Sequence, residues 1–366
     1  MANEKISRRE LMRDTAAAAA GITAGLAAAN QASAAEAAPA KPAPAAKAPA
    51  KAKTKTRSYN QNMEYRRLGR TGLWISAVSI GGHWKKIAHR GGSAGFKKNR
   101  AEVMAACLDH GINYIDACWN QEVTTYAAAL GKRREEMYFG CSNGAFETRF
   151  KNWANSLDKM KEGFERGLKA SKLEYVDLWR ITMHEQTSKR NTKAEIEIAM
   201  QALDWAKKSG KARFTGVSSH DRPWIAKAVA KYPQLEVIVT PYTAGTKKKP
   251  TGSMFDAVKK HDVGMIGIKP FASGSVFKSR GKPDSPTKKE DDERARMVLR
   301  YVLCCDVLTA AIPGLVTIDQ VKNAAAAVKE RRQFDLAEAK RYEQITKEMW
   351  ANLPQDYQWL RDWEWV

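Results

Sequence analysis

The sequence predicts a closed barrel of eight parallel strands, each followed by a helix. Two observations carry this. From about residue 63 onward, eight short apolar runs bounded by Gly or Pro alternate with longer stretches of helical periodicity. The first apolar run is followed by Gly81-Gly82-His83-Trp84-Lys85-Lys86. That is not the glycine-rich phosphate loop an open, doubly wound sheet would place there. Strands are expected over residues 74–80, 113–116, 137–142, 175–182, 212–218, 237–240, 264–269 and 307–312. Helices are expected over 100–110, 122–130, 153–168, 192–209, 224–232, 254–260, 291–304 and 318–328. A further amphipathic helix, about 336–349, leads into a Trp-rich tail over 359–366. One such barrel needs about 250 residues, so residues 58–366 form a single domain.

The first 57 residues read differently. Arg8-Arg9 precede a weakly apolar Ala/Gly stretch over 16–29, and Ala32-Ser33-Ala34 gives a small-x-small cleavage pattern. This order resembles a twin-arginine export signal over residues 1–34, implying the export machinery as a partner and a periplasmic or otherwise exported protein. Residues 35–57, almost wholly Ala, Pro, Lys and Thr, cannot bury a core and read as a solvated linker. No run of about eighteen apolar residues suggests a membrane span.

The chain of 366 residues carries a formal charge of +22. Residues 1–57 hold ten Lys/Arg against four Asp/Glu, which leaves +16 for the barrel, much of it in mixed-charge helices with solvated faces. No nucleic-acid-binding signature accompanies the charge. The five cysteines form no C-x-x-C pair, which argues against zinc-ribbon, iron–sulfur and disulfide-scaffold classes.

In such barrels chemistry sits at the carboxyl ends of the strands. Those ends carry His83, Asp116 with Cys118, Cys141 with Ser142, Thr182 with His184, Ser218 to His220, Thr240 with Tyr242, Lys269 and Gly314. Asp116 is either a catalytic carboxylate or a structural cap. His83, His184 and His220 are either three unrelated loop residues or metal ligands, and no ligand spacing favours the latter. Cys118 and Cys141 end adjacent strands and are either buried thiols or a disulfide pair. Lys269 is a candidate anion anchor or partner for Asp116, and Trp179-Arg180 a candidate pair lining the mouth.

Five segments in register carry a family likeness. They are residues 63–73 (MEYRRLGRTGL), 113–116 (NYID), 175–178 (YVDL), 210–218 (GKARFTGVS), and 311–314 (AIPG) followed by Gln320-Val321. Together they resemble the aldo-keto reductases from about residue 63 to 328. The resemblance implies hydride transfer between a nicotinamide and a carbonyl, with a tyrosine acid, a lysine and aspartate that tune it, and an orienting histidine. The aspartate slot is Asp116. The tyrosine slot holds Gln121, the lysine slot Ser142 and the histidine slot Thr182, while Tyr126 lies a turn further along its helix. Gln121 has no acidic proton to offer, so the resemblance implies an altered donor, with Asp116, His184 and Lys269 as the catalytic candidates. For the cofactor it implies NADP, held at Ser218, Ser219, Gly314, Thr317 and Lys322, with backbone N–H groups at a helix start receiving phosphate. The expected glutamine of the sixth strand is Val239. The leading expectation is an NAD(P)-linked oxidoreductase acting on a small molecule. The alternative is an inactive barrel that binds a ligand or protein partner.

Overall fold

A computed structural model describes residues 56–82, 87–118, 120–142, 147, 154–184, 191–246 and 253–362. The export signal, most of the linker and His83 fall outside these residues. Thr56 and Arg57, expected in the linker, belong to the barrel. Thr56 Oγ1 donates to the Trp74 carbonyl at 2.5 Å, and Arg57 pairs with Asp177 at 3.2 Å.

The chain enters through a hairpin of β1 (Tyr65–Arg67) and β2 (Trp74–Ser76), turning at Gly72 with φ 70°. Its Leu68, Leu73 and Ile75 are buried with inward side chains of the barrel and plug the amino-terminal end. The eight barrel strands are β3 (Ile80–Gly81), β4 (Tyr114–Ala117), β5 (Tyr138–Cys141), β6 (Val176–Thr182), β7 (Ala212–Ser218), β8 (Val237–Pro241), β9 (Gly264–Ile268) and β10 (Ala310–Ile312), paired parallel in sequence order. A parallel bridge between Val78 and Ala311 joins the two edges, and Ser79 N donates to the Ala311 carbonyl at 3.0 Å. The expected closed barrel therefore forms. Its first strand differs from the reading of 74–80 as one unit. Ser76 Oγ donates to the Val78 carbonyl at 2.6 Å, breaking the run so that the first half joins the hairpin and the second the barrel.

Outside lie α1 (Ala94–Asp109), α2 (Asn120–Leu130), α3 (Leu157–Ser171), α4 (Lys193–Lys208), α5 (Arg222–Lys231), α6 (Met254–Lys260), α7 (Lys288–Val302) and α8 (Ile318–Lys329). Their starts follow caps. Ser93 accepts from Phe96 N, which starts α1 six residues before the apolar periodicity does. Thr192 and Glu195 form a capping box on α4. Period-two alternation sends Tyr114, Tyr138 and Leu178 inward and Ile115, Phe139, Cys141 and Trp179 outward against the helices. At the amino-terminal end Asp177, fully buried, accepts from Arg57, Arg134, Arg213 and the Phe139 N–H.

The last long helix, α9 (Leu336–Ala351), docks on α7 and the loop before it. Glu348 receives Lys278 Nζ at 2.8 Å and Arg294 Nη2 at 2.7 Å. The Lys278 bond, then Gln344 and Arg294, hold its carboxyl down at about 2. A depressed folded-state pKa stabilises fully above the ordinary glutamate value and is lost as pH falls toward that lower one. Melting temperature should therefore drop between about pH 4.5 and 2, and Glu348→Gln should flatten that part of the profile. A profile unchanged by the substitution would refute the role given to Glu348.

Candidate active site

The mouth of the barrel is organised by one buried ion pair. Asp116 points inward from β4, and Arg180 reaches it from β6, two strands away. Nε donates to Oδ1 at 2.7 Å and Nη2 to Oδ2 at 2.6 Å. The side chains are 1% and 3% exposed for Arg180 and Asp116. Between them runs β5, which presents Gly140, in register with both Asp116 and Leu178. A Cβ at Gly140 would lie 2.0 Å from the Tyr114 hydroxyl, so the absent side chain makes room for that inward tyrosine. Arg180, not Lys269, is thus the cation for Asp116. Ser142, just past the end of β5, carries no charge, and the cation that meets Asp116 comes from the next strand. Burial is the largest single effect and lowers the guanidinium, but Asp116, Cys118 and Tyr114 together outweigh it and raise the group well above its ordinary value.

Cys118 completes the cluster. Its sulfur accepts from Arg180 Nη2 at 3.0 Å, and its backbone N–H donates to the Glu122 carboxylate at 2.6 Å. Burial pushes its thiol up to about 11, with Arg180 pulling the other way. Cys141, on the outward face of β5, is a free buried thiol, and so is the half-buried Cys118 on the inward side. Opposite faces rule out the disulfide alternative.

A cavity of about 280 Å³ opens above the pair. Asp116 and Cys118 form its floor. One wall is the loop after β9, where Lys269, Ala272 and Ser273 take left-handed φ values of 59°, 44° and 60°. The other is the start of α8, with Gly314, Thr317 and Gln320. Thr317 caps α8 by accepting from Gln320 N, and the Gln320 side chain accepts from Val316 N at 2.8 Å. Arg280 and Lys282 add positive charge along this groove. Lys322 is exposed and is not one of its walls. Lys269 lines the cavity, with its ammonium 5.8 Å from the Trp359 ring.

The remaining predicted positions separate from this centre. Gln121 is exposed in the first turn of α2, beside Gly91 rather than in the cavity. Tyr126 donates its hydroxyl to the Gly81 carbonyl at 2.5 Å and is fully buried. Ser142 is buried and donates to the Cys118 carbonyl at 3.3 Å. Thr182 ends β6 opposite Ser218. His184, 8% exposed, faces Ser219 Oγ at 3.3 Å through Nδ1, which also accepts from His220 N. Ser219 in turn accepts from Asp221 N. Ser219 and His184 thus form a hydrogen-bonded cluster, next to Ser218, at the ends of β6 and β7. His220 stacks on Trp359 at 4.3 Å, part of the short α10 (Trp359–Asp362) that covers this side of the mouth. Among the described residues no group of three His, Cys, Asp or Glu side chains is arranged to hold a metal.

A (β/α)8 barrel with a buried ion pair at the carboxyl ends of its strands, and a groove running to the helix after the last strand, has the layout of a barrel enzyme whose site lies at that end. Residues 88–297 match the Aldo/keto reductase family, and the chain belongs to that family. L-galactose dehydrogenase of Arabidopsis thaliana is 24% identical over 290 residues, covering 73% of this chain and 89% of that protein. An aldo-keto reductase from Bacillus halodurans in its holo form shares the fold with a TM-score of 0.60 at 22% identity, over 81% of this chain and 99% of that one. An aldo/keto reductase from Klebsiella pneumoniae, solved in complex with NADP and acetate, gives 0.58 at 16% identity, over 80% and 96%.

Proposed function

We propose that the protein is an NADP-linked carbonyl/alcohol oxidoreductase whose proton donor is Cys118 rather than a tyrosine. The observation that carries this is the Asp116–Arg180 pair, which restores an aspartate–cation couple beside a proton-bearing group at the cavity floor. The structurally similar Klebsiella pneumoniae protein was solved with NADP, and the groove here fits that cofactor in one testable respect. An ideal Cβ at Gly314 meets no atom within 4 Å, so the backbone faces open space at the place a phosphate would approach. Gly314 and Thr317 would hold the cofactor through backbone N–H groups, with Arg280 and Lys282 supplying charge.

A bound NADPH supplies hydride to a substrate carbonyl carbon. The chain's own groups manage the oxygen. Asp116, accepting both arms of a guanidinium, acts as a carboxylate and has no proton to give. The Cys118 sulfur accepts from Arg180, which leaves its S–H to donate into the cavity. A proton passes from Sγ to the carbonyl oxygen, and the guanidinium stabilises the resulting thiolate until water reprotonates it. Lys269 at the rim suits a substrate bearing an anionic group.

Titration with NADPH, followed by quenching of tryptophan fluorescence, tests the binding half. No binding at about millimolar concentration would overturn it. Cys118→Ala should lower kcat about 100-fold or more while leaving the NADPH Kd unchanged, and full activity in that variant would remove Cys118 from the mechanism. Export by the twin-arginine route belongs to the same proposal, because that route carries a folded chain with its cofactor aboard. Recovery of full-length, uncleaved protein in the cytoplasm alone would refute it.

A further inference from the structure

We infer that Arg100, on α1, is a positioning residue for the cofactor groove, an inference that rests on the NADP reading above. Arg100 is 1% exposed and lies far along the chain from the groove it serves. Its Nη1 donates to the Leu315 carbonyl and its Nη2 to the Val316 carbonyl, each at 3.0 Å. Asn99 Nδ2 donates to the same Val316 carbonyl at 3.0 Å, and Asn99 Oδ1 accepts from Arg100 Nε and Nη2. The segment so gripped joins β10 to α8.

In a trans peptide the N–H points opposite to the C=O. Fixing the Leu315 carbonyl on Arg100 turns the Val316 N–H the other way, where Gln320 Oε1 accepts it at 2.8 Å. Fixing the Val316 carbonyl likewise turns the Thr317 N–H away from α1. Leu315, Val316 and Thr317 all line the cavity. Arg100 thus holds two consecutive peptide planes of the wall from behind, the second of them jointly with Asn99, which Arg100 itself orients. A planar fork that spans two adjacent carbonyls is something lysine cannot reproduce.

The experiment measures the NADPH Kd of the full chain by fluorescence quenching for wild type, Arg100→Leu and Arg100→Lys. Asp177→Asn, at the opposite end of the barrel, serves as a control for lost stability. Hydrogen exchange of amides 315–318 is followed without NADPH. Arg100→Leu should raise Kd about tenfold or more, leave kcat at saturating NADPH within about twofold, and speed exchange at 315–318. Arg100→Lys should fall between. Asp177→Asn should melt earlier with an unchanged Kd. If wild type binds and Arg100→Leu binds equally well, the inference fails while the NADP reading stands. If wild type does not bind, both fail. If Arg100→Leu does not fold, Arg100→Lys decides, and a wild-type Kd in that variant overturns the inference.

Discussion

Arg180→Leu should cost about 3–5 kcal/mol of folding stability, the largest effect of any single substitution at the barrel mouth. The variant keeps the bulk of the side chain's apolar stem but strands the Asp116 carboxylate in a site only 3% exposed, where Arg180 is its cation among the described residues. The loss comes from desolvation left uncompensated, not from the attraction itself, and that distinction is measurable. Asp116→Leu/Arg180→Leu should recover most of the lost stability, because an apolar pair of similar volume removes both charges together. Arg180→Lys should land between, since an ammonium cannot make two parallel bonds and also reach the Cys118 sulfur. Urea unfolding of wild type, Asp116→Leu, Arg180→Leu and the double variant gives the cycle, with Arg180→Lys measured beside it. A double variant no more stable than Arg180→Leu would show that packing over Gly140, rather than charge, governs the site. Activity separates from stability in the same set. The double variant should fold and remain inactive, since it lacks the group that steadies the Cys118 thiolate.

This pair also shows what the sequence made legible and what it did not. Asp116 is readable because it ends a short apolar run preceded by Asn113-Tyr114-Ile115. The absence of a cation at residue 142 is readable too. The cation that does meet Asp116 is not, because Arg180 belongs to another strand and reaches Asp116 only through the register of three strands. Alternation within one strand places a residue inside the barrel; it does not say which neighbour it meets. A rule could have found it: an inward arginine two residues above Leu178, with glycine on the strand between. His184 is legible in type but not in its partners. It has the right parity, yet lies beyond the end of β6, where Ser219 and His220 N engage its imidazole. Helical phase sets Lys322 apart, since α8 turns Gln320, Asn323 and Ala324 to the groove and residue 322 to solvent.

Glycines along the same groove divide into those that folding needs and those that binding needs, and Gly314→Phe is the sharper case. A Cβ at Gly82 would lie 1.9 Å from the Glu122 carboxylate and would push it aside, so Gly82→Ala disturbs the support of Cys118 and should destabilise. Gly314 is exposed, has no left-handed φ, and has nothing within 4 Å of an added Cβ. A benzyl group there should change stability by no more than about 0.5 kcal/mol. It also projects from a wall residue of the cavity, across from the Lys269–Gly274 loop. NADPH affinity should therefore fall about 100-fold or more, with the melting temperature unmoved, whereas Gly314→Ala should lose only a few-fold. Isothermal titration beside thermal melting reads both quantities on one sample. If Gly314→Phe binds NADPH as wild type does, the cofactor does not pass between α8 and the loop after β9. The proton donor at Cys118 would then have no hydride beside it, and the assignment of the groove would be wrong even with the ion pair in place.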